Sequence, residues 1–119
     1  MAQKNYKIEY TFSSRDDMRN MKKYILDTFQ YRELGNNFTK KMKGAAQELK
    51  AFPTALSTIN LQYKGYDIHL KPYQTYLFFY IVDEVNATVT VLRVLQDGMN
   101  WQFILKKWLR ENDKAGNGK

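Results

Sequence analysis

The sequence has no cysteine, a single histidine and only two prolines in 119 residues. Without cysteine, disulfide bonds and thiolate metal sites are excluded, and one histidine cannot form a histidine-rich metal cluster. We therefore expect no metal and no cofactor. No apolar run is long enough to cross a bilayer, and charged residues interrupt the N-terminus where a signal peptide would be apolar. These absences predict a cytoplasmic protein with no membrane partner.

What the sequence does have is positive charge and many aromatic side chains. There are 19 Lys and Arg against 12 Asp and Glu, a net charge of +7, and 15% of residues are aromatic. This balance favours an acidic partner such as nucleic acid, the ribosome or an acidic peptide. The charge is uneven, with a balance of +4 over residues 14–51, −1 over 52–98 and +3 over 99–119. A chain of this length predicts one domain, residues 1–111, followed by a disordered tail at 112–119.

The N-terminal half predicts a strand followed by two helices. Apolar and polar residues alternate over residues 6–12, which is the period of a half-buried strand. Ser14 and Asp17 have the spacing of a capping box, so a first helix is expected over about 14–30. A second helical pattern follows and should end before Pro53, because the residue preceding a proline disfavours helical backbone.

The C-terminal half predicts three strands and a helix, after a polar loop at 54–64. The strands lie at 66–71, 75–83 and 87–96, and the last two are almost continuously apolar, as in the middle of a sheet. An apolar stripe marks the final helix: Trp101, Ile104, Leu105, Trp108 and Leu109. The predicted fold is α+β, with a helix hairpin packed on a small, mainly antiparallel four-stranded sheet in the order β-α-α-β-β-β-α.

Residues 73–110 carry the most informative pattern. The aromatic strand from Tyr76 to Tyr80 precedes Val-Leu-Arg-Val-Leu at 91–95, and Trp101 then opens a helix. This order resembles the RelE/ParE superfamily of toxins from bacterial type II toxin–antitoxin (plasmid stabilisation) systems, and the resemblance covers residues 6–109. It implies a growth-inhibiting protein that is neutralised by a cognate antitoxin protein.

The resemblance implies two alternative targets. RelE-like members resemble ribosome-dependent mRNA endonucleases, whereas ParE-like members act on DNA gyrase. Cleavage of RNA needs proton transfer and cations beside the phosphate, so His69, Lys71 and Arg93 are the candidate catalytic residues if the chain is a ribonuclease. His69 and Lys71 share one face of their strand. They also fit ordinary exposed residues, and Arg93 also fits a structural arginine.

Departures from the nuclease pattern slightly favour DNA gyrase or an unknown target. No arginine stands beside Tyr80, and the end of the last strand has Gln96 and Asp97 where many members of the family that it resembles have histidine and arginine. The cations on the helices are candidates for binding the target or nucleic acid: Lys40, Lys41, Lys43, Lys106, Lys107 and Arg110. They could equally solvate the helices. A further alternative is a small basic nucleic-acid-binding module without toxicity.

Overall fold

The computed structural model describes residues 5–113, so most of the predicted disordered tail, residues 114–119, lies outside the described part. The elements, in chain order, are β1 (Lys7–Tyr10), α1 (Phe12–Phe29), α2 (Arg32–Gln47), β2 (Thr58–Tyr63), β3 (Tyr66–Tyr73), β4 (Tyr76–Asp83), β5 (Thr88–Gln96) and α3 (Trp101–Asn112). Two short 3-10 turns, Glu48–Lys50 and Pro53–Ala55, connect α2 to β2. The α+β class and the helix hairpin are confirmed. The sheet has five strands because β2 forms within the segment predicted as a loop.

The strands lie in the order β1-β5-β4-β3-β2. β1 runs parallel to β5, and the other neighbours are antiparallel. The first strand therefore joins the sheet, and it does so beside the last strand. The apolar strands β4 and β5 lie in the interior of the sheet, each with a neighbouring strand on both sides, as their composition predicts.

Two hydrophobic cores cover the two faces of the sheet. The hairpin side buries Phe38 and Met42 of α2 against Phe78 and Tyr80 of β4. The opposite side buries Phe79 between α3 and the sheet, with these neighbours: Ile68, Leu92, Leu105 and Trp108. Alternate side chains of β4 face opposite sides because successive strand residues point in opposite directions. β4 therefore holds both layers together.

α1 begins earlier than predicted, because Thr11 rather than Ser14 caps it. The Thr11 hydroxyl accepts the Ser14 backbone N–H at 3.0 Å and donates to the Leu92 carbonyl at 2.7 Å. The predicted capping box of Ser14 with Asp17 is therefore wrong, since Asp17 binds β5 instead. Phe12, which the alternation placed in the strand, is the first helical residue and is exposed.

A glycine inside α2 allows the two helices to approach closely. A Cβ added at Gly35 would lie 2.8 Å from Cδ2 of Leu26 in α1, which is closer than van der Waals contact allows. Gly35 is itself buried. The glycine that weakens the helical pattern in sequence therefore marks the contact between the two helices.

β2 is an irregular edge strand. Its pairing with β3 shifts register between Thr58 and Gln62, and Asn60 within it has a positive φ of 63°. A two-residue turn joins β2 to β3, with φ of 52° at Lys64 and 86° at Gly65, as in the tight hairpins whose twist suits antiparallel strands. Ile59, Leu61 and Tyr63 alternate with polar residues and pack on the core that α3 covers, so the prediction of a loop at 54–64 was wrong over β2.

Candidate functional site

The structure gives Arg93 a carboxylate partner. Its Nε and Nη2 donate to the two carboxylate oxygens of Asp17 at 2.7 and 2.8 Å. Asp17 Oδ2 also accepts the Val94 backbone N–H at 2.9 Å. The side chains of Arg93 and Asp17 are only 17% and 13% exposed. This bidentate pair neutralises the arginine and fixes its orientation.

A β-bulge in β5 explains this geometry. Tyr80 pairs with Val91 and Phe79 pairs with Arg93, so Leu92 is an extra residue without an opposite partner on β4. A bulge interrupts the ladder and leaves backbone groups to be satisfied elsewhere. The Thr11 hydroxyl donates a hydrogen bond to the Leu92 carbonyl, and the Asp17 carboxylate accepts one from the Val94 N–H, as described above. The first turns of α1 are thereby attached to the bulge.

His69 is buried beneath the connection between α2 and β2. Its ring stacks on Tyr80 with centroids 5.2 Å apart and planes 16° apart, and its Nδ1 lies 2.7 Å from the Leu56 carbonyl. That carbonyl can only accept, so Nδ1 carries the proton and donates it. The Tyr80 hydroxyl donates to the Pro53 carbonyl at 2.7 Å, and burial raises the pKa of Tyr80. His69 and Tyr80 together hold the 53–56 segment over the sheet.

Lys71 also reaches this connection, where its Nζ lies 3.0 Å from Oε1 of Glu48. Arg93 lies two strands away from Lys71, a separation of about 10 Å at ordinary strand spacing. The three predicted catalytic side chains thus each have a separate partner, and the structure does not bring them into one open pocket. Their catalytic assignment applies only to a ribonuclease and stays a prediction.

The predicted target-binding cations lie exposed on two helices. Lys40, Lys41 and Lys43 are on α2, and Lys106, Lys107 and Arg110 are on α3. Lys41 borders a large groove and Lys43 a narrower one, while Lys107 forms an ion pair with Glu111 at 3.3 Å. Their role in binding stays a prediction.

The large groove, which we call the main groove, lies between the helix hairpin, the end of the sheet and the start of α3. It encloses about 780 Å³. Its apolar lining includes Met21, Tyr24, Phe29, Leu34, Tyr76 and Met99. Tyr24 is 67% exposed and Phe29 is 58% exposed, although both fit the helical period of a buried face. Exposed apolar surface of this extent marks interaction sites in small proteins.

Two features leave little net charge along part of the main groove. The Asp17–Arg93 pair lies along it, and its two opposite charges cancel within a lining that is mostly apolar but also includes Lys41. Burial raises the pKa of Tyr76, so its phenol stays neutral. Sequence reasoning did not identify the apolar residues that line this groove, because those on the helices recur at the same spacing as core residues. The only available signal was an excess of large apolar residues on α1.

Fold and groove together define a small α+β domain with an exposed, mostly apolar groove beside its sheet. Over residues 8–101 the sequence matches the profile of the family described as the ParE toxin of the type II toxin–antitoxin system parDE. Because this match spans most of the chain, the chain belongs to the ParE toxin family and is a toxin component of a type II toxin–antitoxin system. A comparison with curated protein sequences gave no match.

Solved structures show the same fold. A chain of the chromosomal ParDE system from P. aeruginosa superposes with a TM-score of 0.63 at 8% identity, covering 78% of this chain and 97% of that one. A RelBE toxin–antitoxin complex from Mycobacterium tuberculosis gives 0.51 at 21% identity, covering 78% and 99%. An archaeal RelE–RelB complex from Pyrococcus horikoshii gives 0.50 at 13% identity, covering 81% and 99%. No helix within residues 5–113 is long and apolar enough to span a membrane.

Proposed function

We propose that this toxin inhibits growth by acting on DNA gyrase rather than by cutting mRNA, and that a cognate antitoxin holds it inactive. The observation that carries the choice of target is the bidentate Asp17–Arg93 pair. An arginine that stabilises a cleaving phosphate must present its guanidinium to the substrate. Here the guanidinium of Arg93 donates from Nε and Nη2 to the carboxylate of Asp17 instead. Removing that carboxylate would break the hydrogen bonds that join α1 to β5.

The other two candidates support the same choice. General acid–base catalysis requires the group to lie within hydrogen-bond reach of the substrate proton. His69 instead donates a hydrogen bond from Nδ1 to the Leu56 carbonyl, and the residue is only 8% exposed. The charge distribution agrees, because residues 52–98, which include four of the five strands, have a balance of −1. RNA binding gains most of its affinity from cations along the phosphate path.

The main groove is the proposed antitoxin site. The ParDE and RelBE structures that resemble this chain come from toxin–antitoxin systems. Tyr24, Phe29 and Met99 expose large apolar surface around the groove, and aromatic side chains of this kind act as anchors in protein interfaces. An antitoxin segment that covers them would remove this surface from water. The net charge of +7 further favours an acidic segment.

The target is tested with purified toxin in two assays. Supercoiling by DNA gyrase should fall in its presence, and no codon-phased breaks should appear in mRNA from a translating extract. Expression alone should slow growth, and co-expression of the adjacent antitoxin gene should restore it. His69→Gln should remain toxic wherever its melting temperature shows that it folds. Codon-phased breaks by the wild type that disappear in His69→Gln would overturn the proposed target.

The antitoxin site has a separate test. Phe29→Glu places a charge in the main groove and should weaken antitoxin binding by about 30-fold or more, the effect of losing a hot-spot residue. Phe103→Glu is the matched control, because Phe103 is similarly exposed but does not line the groove. Equal affinity of the two variants would show that the antitoxin binds elsewhere.

A further inference from the structure

A narrow groove between α1 and α2, which we call the basic groove, gathers four cationic side chains. They are Arg15, Arg19, Lys22 and Lys43. The groove encloses about 250 Å³, and no acidic side chain lines it among the residues that the structure describes. The three cations of α1 are spaced by four and three residues, so they form one row along the helix. Lys43 approaches this row from α2.

These charges are mostly unneutralised within the protein. Over residues 5–113, Arg19 is the one member of the row that pairs with a carboxylate, that of Asp16 at 2.8 Å, and that pair is exposed. The Arg15 guanidinium lies 5.4 Å from the centre of the Tyr10 ring. Burial raises the pKa of Tyr10, although the charge of Arg15 opposes the rise, so the phenol adds no negative charge. Like charges three or four residues apart on a helix repel each other, so this row of cations lowers the stability of α1.

The floor of the basic groove is largely buried. It includes Phe38 and Met42, which belong to the hairpin-side core and are 7% and 1% exposed. No ring in the groove is free to stack with a nucleobase, because Phe38 is buried and Arg15 covers Tyr10. The groove therefore offers a ligand a mostly apolar surface that is surrounded by four cationic side chains.

We propose that the basic groove binds the phosphate backbone of duplex DNA. The row from Arg15 to Lys22 is about 10 Å long at the helical rise, which spans about three successive phosphates of one strand. Guanidinium groups match phosphate oxygens bidentately. An α-helix of an acidic partner, about 10 Å wide, would not enter a groove of this volume. Without an exposed ring, the groove contacts the backbone and has no means of holding unstacked single-stranded bases.

This proposal goes beyond action on gyrase, and its test contains no gyrase. The measurement is fluorescence anisotropy of a labelled duplex of about 24 base pairs over a series of salt concentrations. Each phosphate contact contributes about −0.9 to the slope of log affinity against log salt, so the wild type should give a slope of about −3. The groove variant combines Arg15→Gln, Lys22→Gln and Lys43→Gln. The control variant removes the same charge elsewhere, with Lys7→Gln, Lys23→Gln and Lys64→Gln.

The groove variant should lose most of the slope and bind about 100-fold more weakly at low salt, whereas the control variant should change both by a small fraction. Unchanged melting temperatures for both variants confirm that folding is not the cause. Equal weakening of the two variants would show attraction to net charge alone and overturn the proposal. Tighter binding of a single-stranded RNA of equal length, or displacement of the duplex by poly-glutamate at equal charge concentration, would also overturn it.

Discussion

Replacing Asp17 by alanine tests whether one carboxylate fastens α1 to the sheet. Asp17 lies in the second turn of α1 and accepts three hydrogen bonds, two from the Arg93 guanidinium and one from the Val94 backbone N–H. Alanine would leave a guanidinium that is 17% exposed without its counter-charge and a backbone donor without an acceptor. The bulge in β5 would lose one of its two side-chain attachments to α1.

The expected loss follows from these contacts. Breaking a buried ion pair by removing one partner costs about 3–5 kcal/mol, and the residual exposure of both groups places this pair at about 3 kcal/mol. For a domain of this length, that loss corresponds to a fall in melting temperature of about 10–15 °C. The free energy of unfolding from urea titration measures the same loss at constant temperature.

Asp16→Ala is a close control, since Asp16 precedes Asp17 in the same helix and also pairs with an arginine, Arg19. That pair is exposed, so its loss should cost less than about 1 kcal/mol. A double-mutant cycle of Asp17→Ala with Arg93→Ala should give a coupling energy of about 2 kcal/mol. Equal losses in the two aspartate variants, or no coupling in the cycle, would refute the assignment of Asp17 as the fastening residue.

Three further perturbations have defined outcomes. Trp108→Ala should lower the free energy of unfolding by about 3–5 kcal/mol, because the ring is buried and its N–H donates to Ser13. Trp101→Ala should cost less, because that ring is only half-buried, and the melting temperatures of the two variants test this order. Gly44→Ala should stabilise by about 0.5–1 kcal/mol, since an added Cβ meets nothing within 4 Å, and a lower melting temperature would contradict this. Hydrogen bonds from Asn86 lower the pKa of Asp83, so the stability they supply is present above the ordinary pKa of 3.8 and is lost as pH falls through the lowered value. Asn86→Ala should raise the pKa of Asp83 in an NMR titration, and an unchanged pKa would show another cause.

Periodicity predicted the elements whose burial is uniform along one face. β4 and β5 were predicted within one residue of their observed bounds, because a strand that is buried on both faces of its sheet has a continuous apolar sequence. The stripe of α3 was also correct, although Trp108 is more deeply buried than Trp101. The Asp97-Gly98 turn ends β5 as expected, with Gly98 at a φ of 101°.

The candidate site could not be predicted in the same way, because its geometry depends on contacts between distant residues. Asp17 and Arg93 are 76 positions apart, and no local pattern tells a capping aspartate from one that binds another strand. His69 alternates like an exposed residue, but the connection after α2 folds over it. The resemblance to a toxin family found the class of protein, while the partners of each charged group required the three-dimensional arrangement.

The interruption of β2 at Asn60 also bears on how the toxin behaves after its antitoxin is lost. An outer strand with a regular, flat backbone offers its free N–H and C=O groups to a second copy, and such pairing can extend into aggregates. The left-handed residue at position 60 and the register shift around it turn the backbone out of that flat geometry. Two toxin molecules that have lost their antitoxin would therefore find few consecutive backbone N–H and C=O groups on β2 with which to pair. The irregularity thus favours a toxin that stays dispersed and able to reach its target.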